Sequence, residues 1–182
     1  MKKLWLVGLV AVILCNCSKE NDGNSGSLPP LPDPDDVCSA MDNINFMTFC
    51  YEKFDANKDG KVSVREAEAV REIDFDKGLS GSLKGIERFP NLEILDCYSY
   101  HFGSGGYYSF SFAELDLRYN RMLKILRLYN CTNLVTLDLS RNTMLEEIEV
   151  YECNALNILR LPENLKEIEG GNCCLLYTSD AA

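Results

Sequence analysis

The sequence is poor in the groups from which catalytic centres are usually assembled. It holds one histidine, His101, in 182 residues. That leaves no Ser, His and acid constellation beyond this single imidazole, and no zinc signature, which would need histidines and cysteines clustered at ligand spacing. No glycine-rich phosphate loop leads into a helix. Positive charge is also scarce: 18 Lys and Arg stand against 28 Asp and Glu, a formal charge of −10, which argues against nucleic acid or an acidic membrane surface as partner. Acidic pairs such as Glu146 and Glu147 read as a solvated face rather than as catalytic carboxylates. The chain therefore reads as non-enzymatic. Long apolar runs are missing too, since the stretch from Leu4 to Cys15 is too short for a comfortable membrane span. Proline is rare outside residues 18–36, which carry four of the six.

What is present is a recurrence. The apolar pairs Leu115/Leu117, Leu126/Leu128, Leu137/Leu139, Ile148/Val150 and Leu159/Leu161 begin 11 residues apart. Five residues after the first member of the first four pairs stand Asn120, Cys131, Asn142 and Cys153. A pair one residue apart puts two side chains on one face of a short strand, and a small polar residue just beyond satisfies backbone groups at a bend. Residues 137–156 resemble the bacterial leucine-rich repeats of about 21 to 23 residues. In these an LDxSxNTxL half alternates with an LxxLxCxxNxL half. The match extends back through Ile73/Phe75 and Leu95/Cys97, 22 residues apart, and forward to residues 168–173. Between Leu95 and Leu115 the half-repeat is lengthened by a Gly-, Ser- and aromatic-rich loop, 99–112. Leu83, Ile86, Leu92 and Leu95, with Gly85 and Pro90, read as the first coil. The resemblance covers about half the chain and implies a solenoid whose coils bury their leucines only against each other.

Ahead of the repeats the pattern is helical, with Phe46, Cys50 and Phe54 at i, i+4 and i+8 and Met47 alongside. Then come Asp55, Asn57, Asp59, Gly60, Lys61, Ser63 and Glu66. Their spacing resembles the twelve-residue calcium loop of EF-hands at every constrained position. The resemblance implies Ca2+ held by side-chain oxygens of Asp55, Asn57 and Asp59, by the carbonyl of Lys61, by Ser63 through a water, and by both carboxylate oxygens of Glu66. Gly60 allows the sharp turn. Ser63 and Glu66 also have capping-box spacing, and Ala67, Val70 and Ile73 continue an apolar stripe into the exit helix. Val62 stands where such loops touch a partner loop, yet 74–78 forms no second loop. The helix-loop-helix is therefore expected to pack on the first coil.

At the N-terminus, Lys2 and Lys3 precede the apolar run, and Leu14-Cys15-Asn16-Cys17 resembles a lipobox with Cys17 as the lipidated residue. Ser18 to Asp22 resembles a short acidic signal for export to the cell surface. Loss of the leader would take Trp5, the only tryptophan, and bring the charge to −12. Residues 18–36 read as a tether that cannot bury enough apolar surface to offset its ordering entropy.

Of the nine cysteines, Cys97, Cys131, Cys153 and Cys173 read as small buried groups, and Cys38 and Cys50 as a candidate disulfide after export. Between the buried pairs Asp116, Arg127, Asp138, Glu149 and Arg160 face outward. Tyr119, Tyr129 and Tyr151 lie just past the pairs, and Tyr98, Tyr100, Tyr107 and Tyr108 crowd the inserted loop. Two readings stand side by side: a binding surface, centred on Tyr119, Tyr129 and Tyr151 with Arg127 and Glu149, or packing of some tyrosines between coils. Residues 174–182 resemble read-through translation of a transposase-type sequencing adaptor, which implies further coils beyond Cys173 in the natural product.

The expected fold is α+β, with an EF-hand-like helix-loop-helix capping a short leucine-rich repeat β-solenoid. The expected division is a lipoprotein signal peptide (1–16), a lipidated tether (17–37), the helical cap (38–74), the repeats (73–173) and an artificial tail (174–182). The expected role is that of a calcium-binding lipoprotein of the outer membrane, facing the cell surface and engaging a protein or glycan ligand. The alternative is the N-terminal scaffold fragment of a longer secreted or surface enzyme or enzyme complex.

Overall fold

The computed structural model describes residues 35–75, 78–98, 109–171, 173 and 176–178. Cys17, the signal segment and nearly all of the tether lie outside the described residues. So do 99–108 of the inserted loop and most of the tail.

Two short helices come first. Helix α1 (Ile44–Phe54) starts at Asn43, whose Oδ1 accepts from the amides of Asn45 and Phe46 at 3.0 and 3.5 Å. The same side chain donates through Nδ2 to the carbonyls of Ser80 and Ser82 at 2.9 and 2.7 Å. One residue thus caps the helix and fastens it to the loop leading into the first coil. Helix α2 (Val64–Ala69) carries the expected capping box between Ser63 and Glu66. It is shorter than the apolar stripe implies. It ends at Ala69, with Val70 already extended, and Ile73 belongs to strand β1 (Glu72–Asp74). Parallel pairing with β2 (Ile94–Cys97) claims that backbone, so the spacing of Ala67, Val70 and Ile73 continues on a strand rather than a helix.

Six more strands follow: β3 (Ile125–Tyr129), β4 (Thr136–Asp138), β5 (Glu147–Tyr151), β6 (Ile158–Arg160), β7 (Glu167–Gly171) and β8 (Leu176–Thr178). All pair in parallel, in two sheets, one ordered β1-β2-β3-β5-β7 and the other β4-β6-β8. The result is a parallel β-solenoid of about four turns. The 11-residue interval is therefore half a coil, and from Leu126 on successive pairs alternate between the two sheets; Leu115 and Leu117 are buried but form no strand. The register places Ile73, Leu95, Leu126, Ile148 and Ile168 in one row across the larger sheet. The first four are fully buried, and each contributes about 1.5–3 kcal/mol relative to exposure. From Leu95 to Leu126 the step is nine residues longer than the regular 22, which accommodates the insertion. Its end is not loop-like: Phe110 and Phe112 are fully buried, and Phe110 bridges to Cys131.

The alternating Asn and Cys residues sort into two ladders. Asn120 donates to the carbonyls of Ile86 and Phe89, and Asn142 to those of Leu117 and Asn120, all at 2.9 Å. On the other side the thiols of Cys131, Cys153 and Cys173 donate to carbonyls near strand ends, among them Leu128 and Val150. Cys97, Cys131 and Cys153 are fully buried and Cys173 half-buried, as small core residues should be.

The helical segment docks on the first coils through aromatic rings, as the missing second loop requires. Phe46 and Phe49 lie against Phe75 with centroids 5.9 and 4.8 Å apart, Phe54 against Phe89 at 5.4 Å, and Phe75 against Phe110 at 6.0 Å.

Candidate functional site: an acidic loop and a tyrosine row

The loop 55–66 joins α1 to α2. Lys58 (φ 59°) and Gly60 (φ 83°) adopt left-handed backbone, which curls the chain so that its side-chain oxygens turn back on its own amides. Asp55 Oδ1 accepts from the Asp59 amide at 3.2 Å and Oδ2 from the Gly60 amide at 2.9 Å. Asn57 Oδ1 accepts from the Asp59 amide at 2.9 Å, and Asp59 Oδ1 from the Lys61 amide at 3.0 Å. Glu66 reaches across the loop. Its Oε1 accepts from the amides of Ala56 and Asn57 at 2.9 and 3.2 Å, its Oε2 from the amide and hydroxyl of Ser63 at 2.9 and 2.8 Å. Bonds from Ser63 above all hold its carboxyl below the usual glutamate value.

A carboxylate offers about four lone-pair sites. Asp55 spends two on these bonds and keeps capacity; Glu66 spends four. Among the described residues no three His, Cys, Asp or Glu side chains cluster as a metal-binding group. The engagement of Glu66 with backbone amides accounts for that: the loop brings Asp55, Asn57 and Asp59 together and ties Glu66 to the entry turn and to Ser63. The donors are all oxygen, the set a hard cation prefers, and closing on such an ion would require Glu66 to exchange amide bonds for it.

The loop is braced from the N-terminal side by residues that sequence reasoning assigned to the tether. The Val37 amide donates to the Val62 carbonyl at 2.9 Å, and the Val62 amide donates to Asp36 Oδ1 at 3.1 Å. Asp36 also accepts from the Cys38 amide at 3.0 Å and from the Tyr51 hydroxyl at 2.7 Å. Val37 and Val62 are buried, so the packed structure begins by Asp36. The available signal was Asp36 two residues before Cys38, the pattern of a side-chain cap on a turn.

The second cluster lies on the outer face of the larger sheet, where Asp74, Asp96, Arg127, Glu149 and Glu169 share one row. Arg127 bonds Glu149 at 2.7 Å, Glu147 at 3.0 Å and Asp96 at 3.3 Å. Beside that row the rings of Tyr98, Tyr129 and Tyr151 form a ladder, with centroids 4.3 and 4.9 Å apart. The Tyr129 hydroxyl donates to Glu149 at 2.7 Å. Burial raises the Tyr129 phenol, and the Glu149 carboxylate raises it further. Burial also pushes Glu149 upward, but bonds from Tyr129 and Arg127 outweigh it and the carboxyl lies below its usual value. At Asp96 burial wins, and its carboxyl is raised despite Arg127.

Four of the five expected surface residues, Arg127, Tyr129, Glu149 and Tyr151, are thus brought together. Tyr119 is not among them. It follows the half-coil 115–117, which stands 22 residues before β4 and so falls on the side of the smaller sheet. Asp96, Tyr98 and Glu147 complete the cluster; the sequence groups Tyr98 with the inserted loop, and aligning Leu95/Cys97 with Leu126/Leu128 places both it and Asp96 in register with Tyr129 and Arg127. No protein-family model matches the chain, and no curated protein matches it.

Proposed function

We propose that this chain is a calcium-binding leucine-rich repeat lipoprotein of the cell surface, non-catalytic, that engages a protein or glycan through the larger sheet. The observation that carries the reading is the loop 55–66. Its oxygen donors sit at the spacing of an EF-hand, its backbone turns left-handed at Lys58 and Gly60, and the side chains of Asp55, Asn57 and Asp59 fold onto the amides of Asp59, Gly60 and Lys61. Asp55, Asn57, Asp59, Ser63, Glu66 and the carbonyl of Lys61 would hold the cation. When bound, the ion would supply a fixed positive centre for the loop and no chemistry. With calcium abundant outside cells, the site acts as a staple between the two helices rather than as a switch. The tyrosine ladder supports the binding role, because flat rings beside hydrogen-bonding carboxylates can stack on sugar or side-chain surfaces. Lipidation of Cys17 would anchor the chain in the outer membrane.

Calorimetric titration of the chain with CaCl2 tests the central claim. The expected result is one site with a dissociation constant between about 10⁻⁷ and 10⁻³ M, abolished by Asp55→Ala with Glu66→Gln. A flat titration, together with a melting temperature indifferent to millimolar Ca2+, would reject it. Radiolabelled palmitate incorporated by the wild type and not by Cys17→Ser tests the anchor.

A further inference from the structure

The turn that braces the loop carries a thiol beside a second thiol. Cys38 lies in the 3-10 turn Val37–Ala40 and Cys50 in α1. Both are fully buried, and the Cys38 thiol is near enough to Cys50 to raise its thiol alongside burial. Their neighbours are joined as well: Asp36, which caps the turn at the Cys38 amide, accepts from the hydroxyl of Tyr51, the residue after Cys50. Among the other described thiols, Cys153 also lies beside Cys131 and Cys173. Those three, however, donate to strand carbonyls of the solenoid, so oxidising them would strip those carbonyls of a donor.

We propose that Cys38 and Cys50 form a disulfide that staples the bracing turn to α1 and so holds Asp36 and Val37 against Val62. The S–S bond forms as two thiols lose two protons and two electrons. A dithiol–disulfide oxidant, such as oxidised glutathione or an export-compartment disulfide protein, accepts the electrons as its own S–S bond breaks and it leaves as thiols. The bond forms during folding. Once the pair is buried, desolvation raises the Cys50 thiol far above its ordinary value, thiolate is scarce, and exchange is slow in either direction. The inference does not rest on the loop taking a cation.

The test is to reduce and unfold the whole chain and refold it in a glutathione redox buffer. It is then quenched with iodoacetamide and cut on the N-terminal side of Asp42, which lies between the two cysteines. Mass spectrometry should find the two fragments joined through Cys38 and Cys50, with Cys97, Cys131 and Cys153 alkylated once the product is unfolded. Exchange of the Val62 amide should be at least roughly tenfold slower in the linked form than in the reduced form. The linked chain should melt about 5–10 °C above Cys38→Ser with Cys50→Ser. Should that variant fail to fold, the reduced wild type serves as the comparison. Recovery of Cys38 and Cys50 both alkylated, or of either joined to another cysteine, overturns the proposal, as does equal Val62 exchange in the two forms.

Discussion

Arg127 and Glu149 face each other across β3 and β5, with Arg127 Nε donating to Glu149 Oε1 at 2.7 Å. The same guanidinium satisfies Glu147 and Asp96, so one cation holds three carboxylates on the outer face of the sheet. Its side chain is 29% exposed, which screens these bonds only in part. Arg127→Ala is expected to cost about 1–3 kcal/mol, because it leaves like charges adjacent on neighbouring strands. Arg127→Lys should recover only part of that, since an ammonium cannot present the planar fork that reaches all three. Urea denaturation of both variants reads the difference.

Asp36 accepts from Val62, Cys38 and Tyr51. Asp36→Ala removes all three bonds and leaves the buried Val62 amide without its partner, an expected loss of about 1–3 kcal/mol. Hydrogen exchange at Val62 should rise in this variant, while amides of β3 and β5 change only by the global destabilisation.

Asn142 is fully buried and ties Leu117 to Asn120 by two bonds from one amide. Asn142→Ala should cost about 2–4 kcal/mol, as two carbonyls between coils lose their donor and a small void opens. Asn142→Asp should be no better, because a carboxylate brings no donors to that position. Thermal melts of the two variants check both statements.

Acid should weaken the fold. Bonds from Ser63 lower the Glu66 carboxyl, and the Arg118 guanidinium lowers that of Asp116. Glu149 is lowered too, its bonds from Tyr129 and Arg127 exceeding the effect of burial. A carboxyl depressed in the folded state contributes stability that is present above its unfolded value and lost as pH falls through the folded one. Asp96 runs the other way, since burial raises it, and its protonation offsets part of the loss. The melting temperature should be level above about pH 5 and fall below about pH 4. Glu66→Gln should flatten the acid limb, and an unchanged limb would remove Glu66 from this account.

Gly60 has φ +83° and open space where a Cβ would project. Gly60→Ala therefore costs backbone strain without a clash, about 1 kcal/mol. On the proposed reading it should also weaken Ca2+ binding in calorimetry.

The sequence by itself determined the repeat, the loop and its capping box. Each is written in side chains a few residues apart: leucines two apart on one strand face, acids two apart in a curl, Ser63 three before Glu66. Spacing of that kind follows from local backbone geometry. It also showed that Phe46, Cys50 and Phe54 share a helix face and that Leu95 begins an element equivalent to that of Ile73. Tertiary structure decided what depends on how the coil closes. An 11-residue period alone does not say which of two sheets a half-coil joins; the alternation of Asn120, Cys131, Asn142 and Cys153 does carry it, and it sets Tyr119 apart from Tyr129 and Tyr151. Closure fixed where α2 stops, at Ala69, since the sequence reads Ile73 both as the end of the helical stripe and as the start of the first strand pair, and pairing of β1 with β2 selects the second. It brought Asp36 to Val62 and to Tyr51. Those contacts span residues whose separation is fixed by the packing of α1 on the first coil, a relation that no local pattern contains.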